Sequence, residues 1–148
     1  MVLAQPNTTS DNNSQITESG SQRVGIGIGS KLLYNKAFFG KTSCLKATQN
    51  TLGEVYFHFG LEQNKVWKWK KVKFSDTELA QIIYVLQGKI NSISFFHNFN
   101  DDKTQIWITR KDNSVTFKTK FASRTLVDGE LLVLEILIRQ FIINSCKF

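Results

Sequence analysis

The sequence predicts an α+β fold in which a run of strands followed by one helix occurs twice. Segments rich in aromatic and β-branched residues, which favour strands, follow one another along most of the chain. At residues 76–87 and 130–143 the apolar residues recur instead with the spacing of a helix. The only proline is Pro6, so no proline interrupts the strands. Because strands come in runs and do not alternate with helices, we expect antiparallel sheets.

Four strands and a helix are predicted in the first half. The strand segments are residues 32–40, 43–49, 54–62 and 65–74. Ser75 is suited to cap the N-terminus of the helix, and Glu78, three residues later, completes a capping box. Gly88 is a natural end for a helix. We therefore expect this helix over residues 76–87.

Three more strands and a second helix are predicted in the second half. The strand segments are residues 92–99, 104–111 and 114–122, and Asp112 and Asn113 supply turn chemistry between the last two. Asp128 is the expected N-cap of a helix over residues 130–143. The two halves share this plan without a close sequence repeat.

The N-terminal residues are expected to precede the folded domain. Residues 1–23 are rich in Asn, Ser, Thr and Gln, and such a segment buries too little apolar surface to offset its ordering entropy. Residues 24–30 read VGIGIGS, and this GxGxG spacing differs from that of a dinucleotide-binding loop. We interpret them as a flexible lead-in. The sequence thus predicts a disordered tail over residues 1–23 and one domain over residues 24–148.

The domain is basic. The net charge of the chain is +7, and residues 1–22 contain Asp11 and Glu18 but no Lys or Arg, so the remainder carries about +9. A basic domain favours an anionic partner such as nucleic acid or a membrane surface. No apolar run approaches the length of about 18 residues that a membrane span needs, so we expect no membrane insertion.

The two cysteines indicate a reducing compartment. Cys44 and Cys146 stand apart from any CxxC or Cys/His motif, so we expect free thiols and no zinc site. The N-terminus lacks the pattern of a signal peptide. We expect the protein in the cytoplasm or bound to the nucleoid, or in an organelle if a transit peptide has been removed.

The segment KVWKWKKVKF carries the strongest functional pattern. Alternate residues of a strand share a face, which places Trp67, Trp69, Lys71 and Lys73 together. Nucleic-acid bases stack on aromatic rings and lysines neutralise phosphates, so this face is typical of a nucleic-acid site. The alternative is an exposed strand with two partly buried tryptophans and solubilising lysines.

A weaker form of this pattern occurs in the second half. Trp107 and Lys111 share one side of their strand, and Lys118 and Lys120 share one side of the next. This repetition favours nucleic-acid binding. The interleaved lysines also favour it over a protein-interaction scaffold whose tryptophans dock a peptide.

Catalysis, a cofactor and a metal site are not expected. His58 and His97 are the only histidines, and neither lies in a metal-binding or triad motif. Asp101 and Asp102 are adjacent acids in a turn, whereas a two-metal site needs several carboxylates that converge.

The C-terminal helix is apolar nearly all round. Ten of the 13 residues from Leu131 to Ile143 are apolar, and one sheet covers only one side of such a helix. Two apolar stripes are present. The first stripe is Leu132, Ile136 and Ile143. The second stripe is Leu134, Leu137, Ile138 and Phe141. Sequence alone does not say which stripe faces outward; we assign the contact with a partner protomer to the second.

Residues 65–99 resemble the middle of the Whirly proteins. In that family a basic, Trp-containing strand leads into a Ser-capped helix with a Thr-Glu pair. That helix ends at Leu-x-Gly or Leu-Gly, and a strand ending in Glu-Phe-Phe-His follows. The matching residues here are Trp69, Phe74, Ser75, Thr77, Glu78, Leu86, Gly88, Phe95, Phe96 and His97. The first strand is also similar to the family's Lys-Gly-Lys-Ala-Ala-Leu signature, with Lys36 and Ala37 matching and with Tyr34 and Asn35 departing from it.

The resemblance implies a fold, a ligand and an assembly. It implies two antiparallel four-stranded sheets, each followed by a helix, with a short eighth strand near residues 124–126. It further implies a homotetramer that binds single-stranded DNA with little sequence preference and protects or organises it. RNA is the alternative ligand, because related mitochondrial proteins with this fold bind guide RNA. We add Tyr34, Lys36 and Phe38, from the signature-like strand, to the predicted binding residues.

Overall fold

The chain forms two antiparallel sheets of four strands, and each sheet is followed by a helix. The computed structural model describes residues 30–146. In chain order the elements are β1 (Leu32–Phe39), β2 (Ser43–Asn50), β3 (Val55–Gln63), β4 (Val66–Phe74), α1 (Asp76–Leu86), β5 (Ser92–Phe99), β6 (Asp102–Lys111), β7 (Ser114–Lys118), β8 (Ser123–Val127) and α2 (Gly129–Ser145). The strand order is β1-β2-β3-β4 in the first sheet and β5-β6-β7-β8 in the second. The predicted α+β class, with four strands and a helix repeated twice, is confirmed. The predicted tail and most of the glycine-rich segment, residues 1–29, lie outside the described residues.

The strand predicted over residues 114–122 is shorter than expected. β7 ends at Lys118, because Thr119 turns the chain. The Thr119 hydroxyl accepts hydrogen bonds from the backbone N–H groups of Phe121 (3.1 Å) and Ala122 (3.2 Å), the local pairing by which threonine competes with a strand ladder. The chain then reverses into β8.

Each sheet has an inner face in the core and an outer face away from it. On β2 and β3, Leu45, Ala47, Phe57 and Phe59 alternate with more polar residues and are buried, as a one-sided sheet requires. The inner faces of the two sheets meet, because the Phe57 ring lies 6.1 Å from that of Phe117 on β7. The helices complete the same apolar core.

The predicted capping box at the start of α1 is confirmed. The Ser75 hydroxyl accepts from the backbone N–H of Glu78 (3.3 Å), and the Glu78 carboxylate accepts from that of Ser75 (2.9 Å). The second oxygen of Glu78 lies 2.7 Å from His97 Nε2 on β5. This carboxylate therefore joins the first helix to the first strand of the second half.

Buried polar contacts fasten α2 to the first sheet. Gln49 on β2 donates to the backbone oxygen of Phe141 (2.9 Å) and accepts from the Asn144 amide (2.9 Å). Asp128 occupies the N-cap position as predicted, but its side chain makes no capping bond. Glu130 accepts from the backbone N–H of Val127 instead (3.1 Å).

The stripe of α2 that faces outward is not the one assigned from the sequence. Leu134, Ile138 and Phe141 are fully buried, and Leu137 packs partly buried against the same core. The assignment of these four residues to a partner contact is therefore wrong. The stripe left exposed consists of Leu132, Val133, Ile136 and Ile143. Within residues 30–146, neither helix combines the length and apolar character needed to cross a membrane.

Candidate nucleic-acid interface

Four predicted binding residues lie together on the outer face of β4, as the alternation along this strand predicts. They are Trp67, Trp69, Lys71 and Lys73. Val72 and Phe74, which alternate with the lysines, are buried in the core. Because alternate residues of a strand point to opposite faces, the two tryptophans and two lysines point away from the core. Trp69 is 38% exposed, and both lysines are exposed.

The two tryptophans form an aromatic cluster with Phe39 of β1. The rings of Trp67 and Trp69 are stacked, with centroids 5.8 Å apart and planes 24° apart. Phe39 meets Trp67 edge-on at 5.4 Å and remains 59% exposed. Gly60 on β3 makes room for this arrangement, since a Cβ there would lie 2.6 Å from a ring carbon of Trp69. The cluster leaves ring surface open to a ligand.

Lysines lie over aromatic rings of the same outer face. Lys46 Nζ on β2 is 4.7 Å from the ring centroid of Trp69, and Lys71 Nζ is 4.5 Å from that of Tyr56. Both distances are within cation–π range. Sequence reasoning missed Lys46, Tyr56 and Phe39. Alternation within each strand predicts that Lys46 and Tyr56 point outward. Their position beside the residues of β4 depends on the register between strands, which alternation does not give.

Lys73 is engaged with a carboxylate. Its ammonium lies 3.0 Å from Glu54. The hydrogen bond and charge of Glu54 raise the pKa of Lys73, whereas hydrogen bonds from Asn50 and Lys73 lower the pKa of Glu54. Lys73 is therefore less available to a phosphate than Lys71.

A histidine occupies the centre of this surface. Cross-strand register places His58 of β3 directly between Lys46 of β2 and Lys71 of β4. His58 is half-buried, and its Nε2 lies 3.0 Å from the hydroxyl of Thr48. Burial and then the charges of Lys46 and Lys71 hold the pKa of His58 well below its ordinary 6.5. The imidazole is therefore neutral at pH 7.

The second sheet carries a smaller surface of the same kind. Trp107 and Lys111 share the outer face of β6, and Lys118 lies directly opposite Trp107. Lys120, predicted as part of a strand, lies in the turn after β7. With Trp107, Thr109 and Lys118 it nevertheless lines one shallow depression. The sequence reasoning did not assign Phe96 to the site, although it lies on the same face of β5 and is largely exposed.

The three residues added from the signature-like strand lie on the other side of the first sheet. Phe38 pairs with Leu45 and is buried in the core. The ring centroids of Tyr34 and of Phe141 on α2 are 6.0 Å apart. Lys36 lies on the same side of β1 as Phe38, opposite to the side of Phe39. These three residues therefore do not join Trp67 and Trp69 on the outer face of the sheet. Phe39 is the aromatic residue that β1 adds to the outer face.

Few acids oppose the lysines. On the described strands, register and alternation leave Glu62 as the one acidic side chain on the outer face of the first sheet and none on that of the second. The lysines on these faces are Lys46, Lys71, Lys73, Lys103, Lys111 and Lys118. Both outer faces are therefore suited to an anionic ligand that also offers flat apolar groups.

No group of three or more His, Cys, Asp or Glu side chains within residues 30–146 is arranged to hold a metal ion.

The chain matches no protein-family model, and no curated protein matches it significantly.

Proposed function

We propose that this protein binds single-stranded DNA on the outer faces of its two sheets, with little dependence on base sequence, and so protects or organises it. The observation that carries the proposal is the aromatic cluster Phe39–Trp67–Trp69, whose open ring surface lies beside Lys46 and Lys71 on the outer face of the first sheet. Rings bind bases and lysines bind phosphates, and a single strand presents both at once.

The arrangement favours a single strand over a duplex. In a duplex the base faces are stacked on one another and are closed to protein rings, whereas unpaired bases are free to stack on Trp69 or Phe39. Every base has a flat π-face, so such stacking tolerates any sequence. RNA presents the same bases and phosphates, and we treat it as the alternative ligand.

The repeated architecture supports the proposed relationship to the Whirly proteins. Two four-stranded antiparallel sheets, each followed by a helix, are what the resemblance of residues 65–99 implied. Fold alone does not determine function, so the ligand is proposed from the surface residues.

We further propose that the protein is a homotetramer assembled through α2. The exposed stripe Leu132, Val133, Ile136 and Ile143 runs along nearly the whole helix. Water contact with such a stripe costs about 25 cal/mol per Å² of apolar surface. A closed symmetric assembly covers it without leaving unpaired interfaces, and the number four comes from the resemblance.

A fluorescence titration tests the proposed ligand. Oligo-dT, oligo-rU and a duplex of equal length are added to the protein at about 50 and 200 mM salt. Oligo-dT should quench tryptophan emission, bind more tightly than the duplex, and lose affinity steeply at the higher salt. Preference for the duplex, or affinity that ignores salt, would contradict the proposal. Tighter binding of oligo-rU would identify RNA as the ligand.

A further inference from the structure

We propose that Lys46, His58 and Lys71 form a phosphodiester-binding site that takes up a proton when it is occupied, so that acid strengthens the binding of single-stranded nucleic acid. This inference rests on the proposed function and adds to it a defined phosphate position and a dependence on pH.

Three cationic or ionisable side chains stand in one row across three strands. Lys46 and Lys71 are the direct cross-strand partners of His58, and side chains in such positions stand about 5 Å apart at Cβ. Rings flank the row, since the Lys46 ammonium lies over Trp69 and the Lys71 ammonium over Tyr56. A phosphate placed over His58 would thus have a base platform on either side.

Within residues 30–146, few other charged side chains lie near His58 on the strands around it. On β3 its outward neighbours are Tyr56 and Gly60, and on β2 the hydroxyl of Thr48 meets Nε2. Glu54, four residues before His58, is engaged with Lys73. Glu62 lies two outward positions away on the other side, opposite Trp67. Burial is the main cause of the lowered pKa of the imidazole, and the charges of Lys46 and Lys71 lower that pKa further.

A bound phosphate changes that field. Its negative charge offsets the charges of Lys46 and Lys71, so protonation of His58 no longer places a third positive charge beside two others. The imidazolium then donates from both ring nitrogens. The Thr48 hydroxyl accepts from Nε2, and our proposal assigns Nδ1 to a phosphate oxygen. The pKa of His58 is higher in the complex than in the free protein, and binding therefore consumes protons.

The direction of the pH effect follows from this linkage. Between the pKa of free His58 and the higher pKa in the complex, the dissociation constant for oligo-dT decreases as pH falls. One linked proton limits the change to about tenfold per pH unit. Above the pKa of the complex, neither state is protonated and the effect disappears.

Calorimetry measures the proton directly. The full chain is titrated with oligo-dT near pH 6 in two buffers that differ in ionisation enthalpy, and the difference in binding heat gives the number of protons taken up. We expect uptake by the parent protein and its loss in His58→Gln, which keeps a group able to bond Thr48. His97→Gln is the matched control, because His97 is the only other histidine and pairs with Glu78 away from this row; it should retain the uptake.

A second measurement keeps the inference falsifiable if His58→Gln fails to fold. An NMR titration of the histidine ring signals in the parent protein gives the pKa of His58 with and without oligo-dT. A higher pKa in the complex supports the site, and an unchanged pKa overturns it. Failure of the proposed function looks different, because oligo-dT would then not bind at any pH.

Discussion

The six-membered ring of Trp69 covers Gly60 on the neighbouring strand. A Cβ built on Gly60 would lie 2.6–2.9 Å from three carbons of that ring, closer than atoms tolerate. Gly60→Ala should therefore displace Trp69 and disrupt its stacking on Trp67. We expect altered tryptophan emission and weaker binding of oligo-dT. Gly129→Ala is the control, since a Cβ there meets no atom within 4 Å; equal effects of the two variants would contradict this role of Gly60.

The two sheets should contribute unequally to binding. Trp69→Ala removes a ring from the aromatic cluster and should weaken oligo-dT binding by about 1–3 kcal/mol, the range for loss of one base–aromatic stack. Trp107→Ala should have a smaller effect, because the other residues that line the depression beside Trp107 are Thr109, Lys118 and Lys120, none of them aromatic. Titrations of folded variants, checked by circular dichroism, measure both effects. Unchanged binding by both variants would remove these faces as the site.

Lys71 and Lys73 should differ in their effect on salt dependence. Each phosphate contact on a single strand contributes about 0.7 to the slope of log affinity against log salt. Lys71→Ala should reduce the slope by about this amount. Lys73→Ala should reduce it less, because Lys73 is paired with Glu54 in the free protein. Equal slopes for the two variants would show that the Glu54 pair does not restrain Lys73.

Acid should lower the stability of the free protein. The pKa of folded His58 is well below 6.5, so the unfolded chain binds a proton that the folded chain does not. Stability is therefore lost progressively as pH falls from about 6.5 to the folded pKa. His58→Gln should reduce the dependence of the melting temperature on pH over this range. Because acid strengthens binding through the same residue, added oligo-dT should offset part of the loss in the parent protein.

The strands and the capping box were predictable because their signals are local. Alternation on β4 identified the face of Trp67 and Trp69, and the spacing of Ser75 and Glu78 identified the start of α1. These features depend on residues a few positions apart, whose geometry a strand or helix fixes.

The errors arose where local signals are symmetric. β1 has aromatic residues on both faces, Phe38 on one and Phe39 on the other, and the likeness to the family signature does not distinguish the two faces. α2 likewise has two apolar stripes, and the helical spacing of apolar residues does not say which stripe packs against the core. The row of Lys46, His58 and Lys71 depends on the register of three strands, which turns and packing determine. Thr119 lies within the strand predicted over residues 114–122, but its hydroxyl accepts a hydrogen bond from the local backbone and ends the strand before it.

Assembly is tested most sharply by two isoleucines on α2. Ile136 is 58% exposed, whereas Ile138, two residues later, is 0% exposed. Ile136→Asp places a charge in the proposed contact between protomers and leaves the core intact. We expect light scattering to fall from about four times the mass of one chain toward a single chain, while circular dichroism stays unchanged.

Ile138→Asp is the contrasting variant. It buries an unpaired carboxylate in the core of the protomer, which should prevent folding.

The parent assembly should also persist at high salt, because apolar contacts are not screened as ion pairs are. If binding uses strands that cross between protomers, Ile136→Asp should weaken oligo-dT binding along with assembly. A parent protein that is monomeric at all concentrations would refute the assembly. Equal affinity of the parent protein and Ile136→Asp for oligo-dT would refute a binding site shared between protomers.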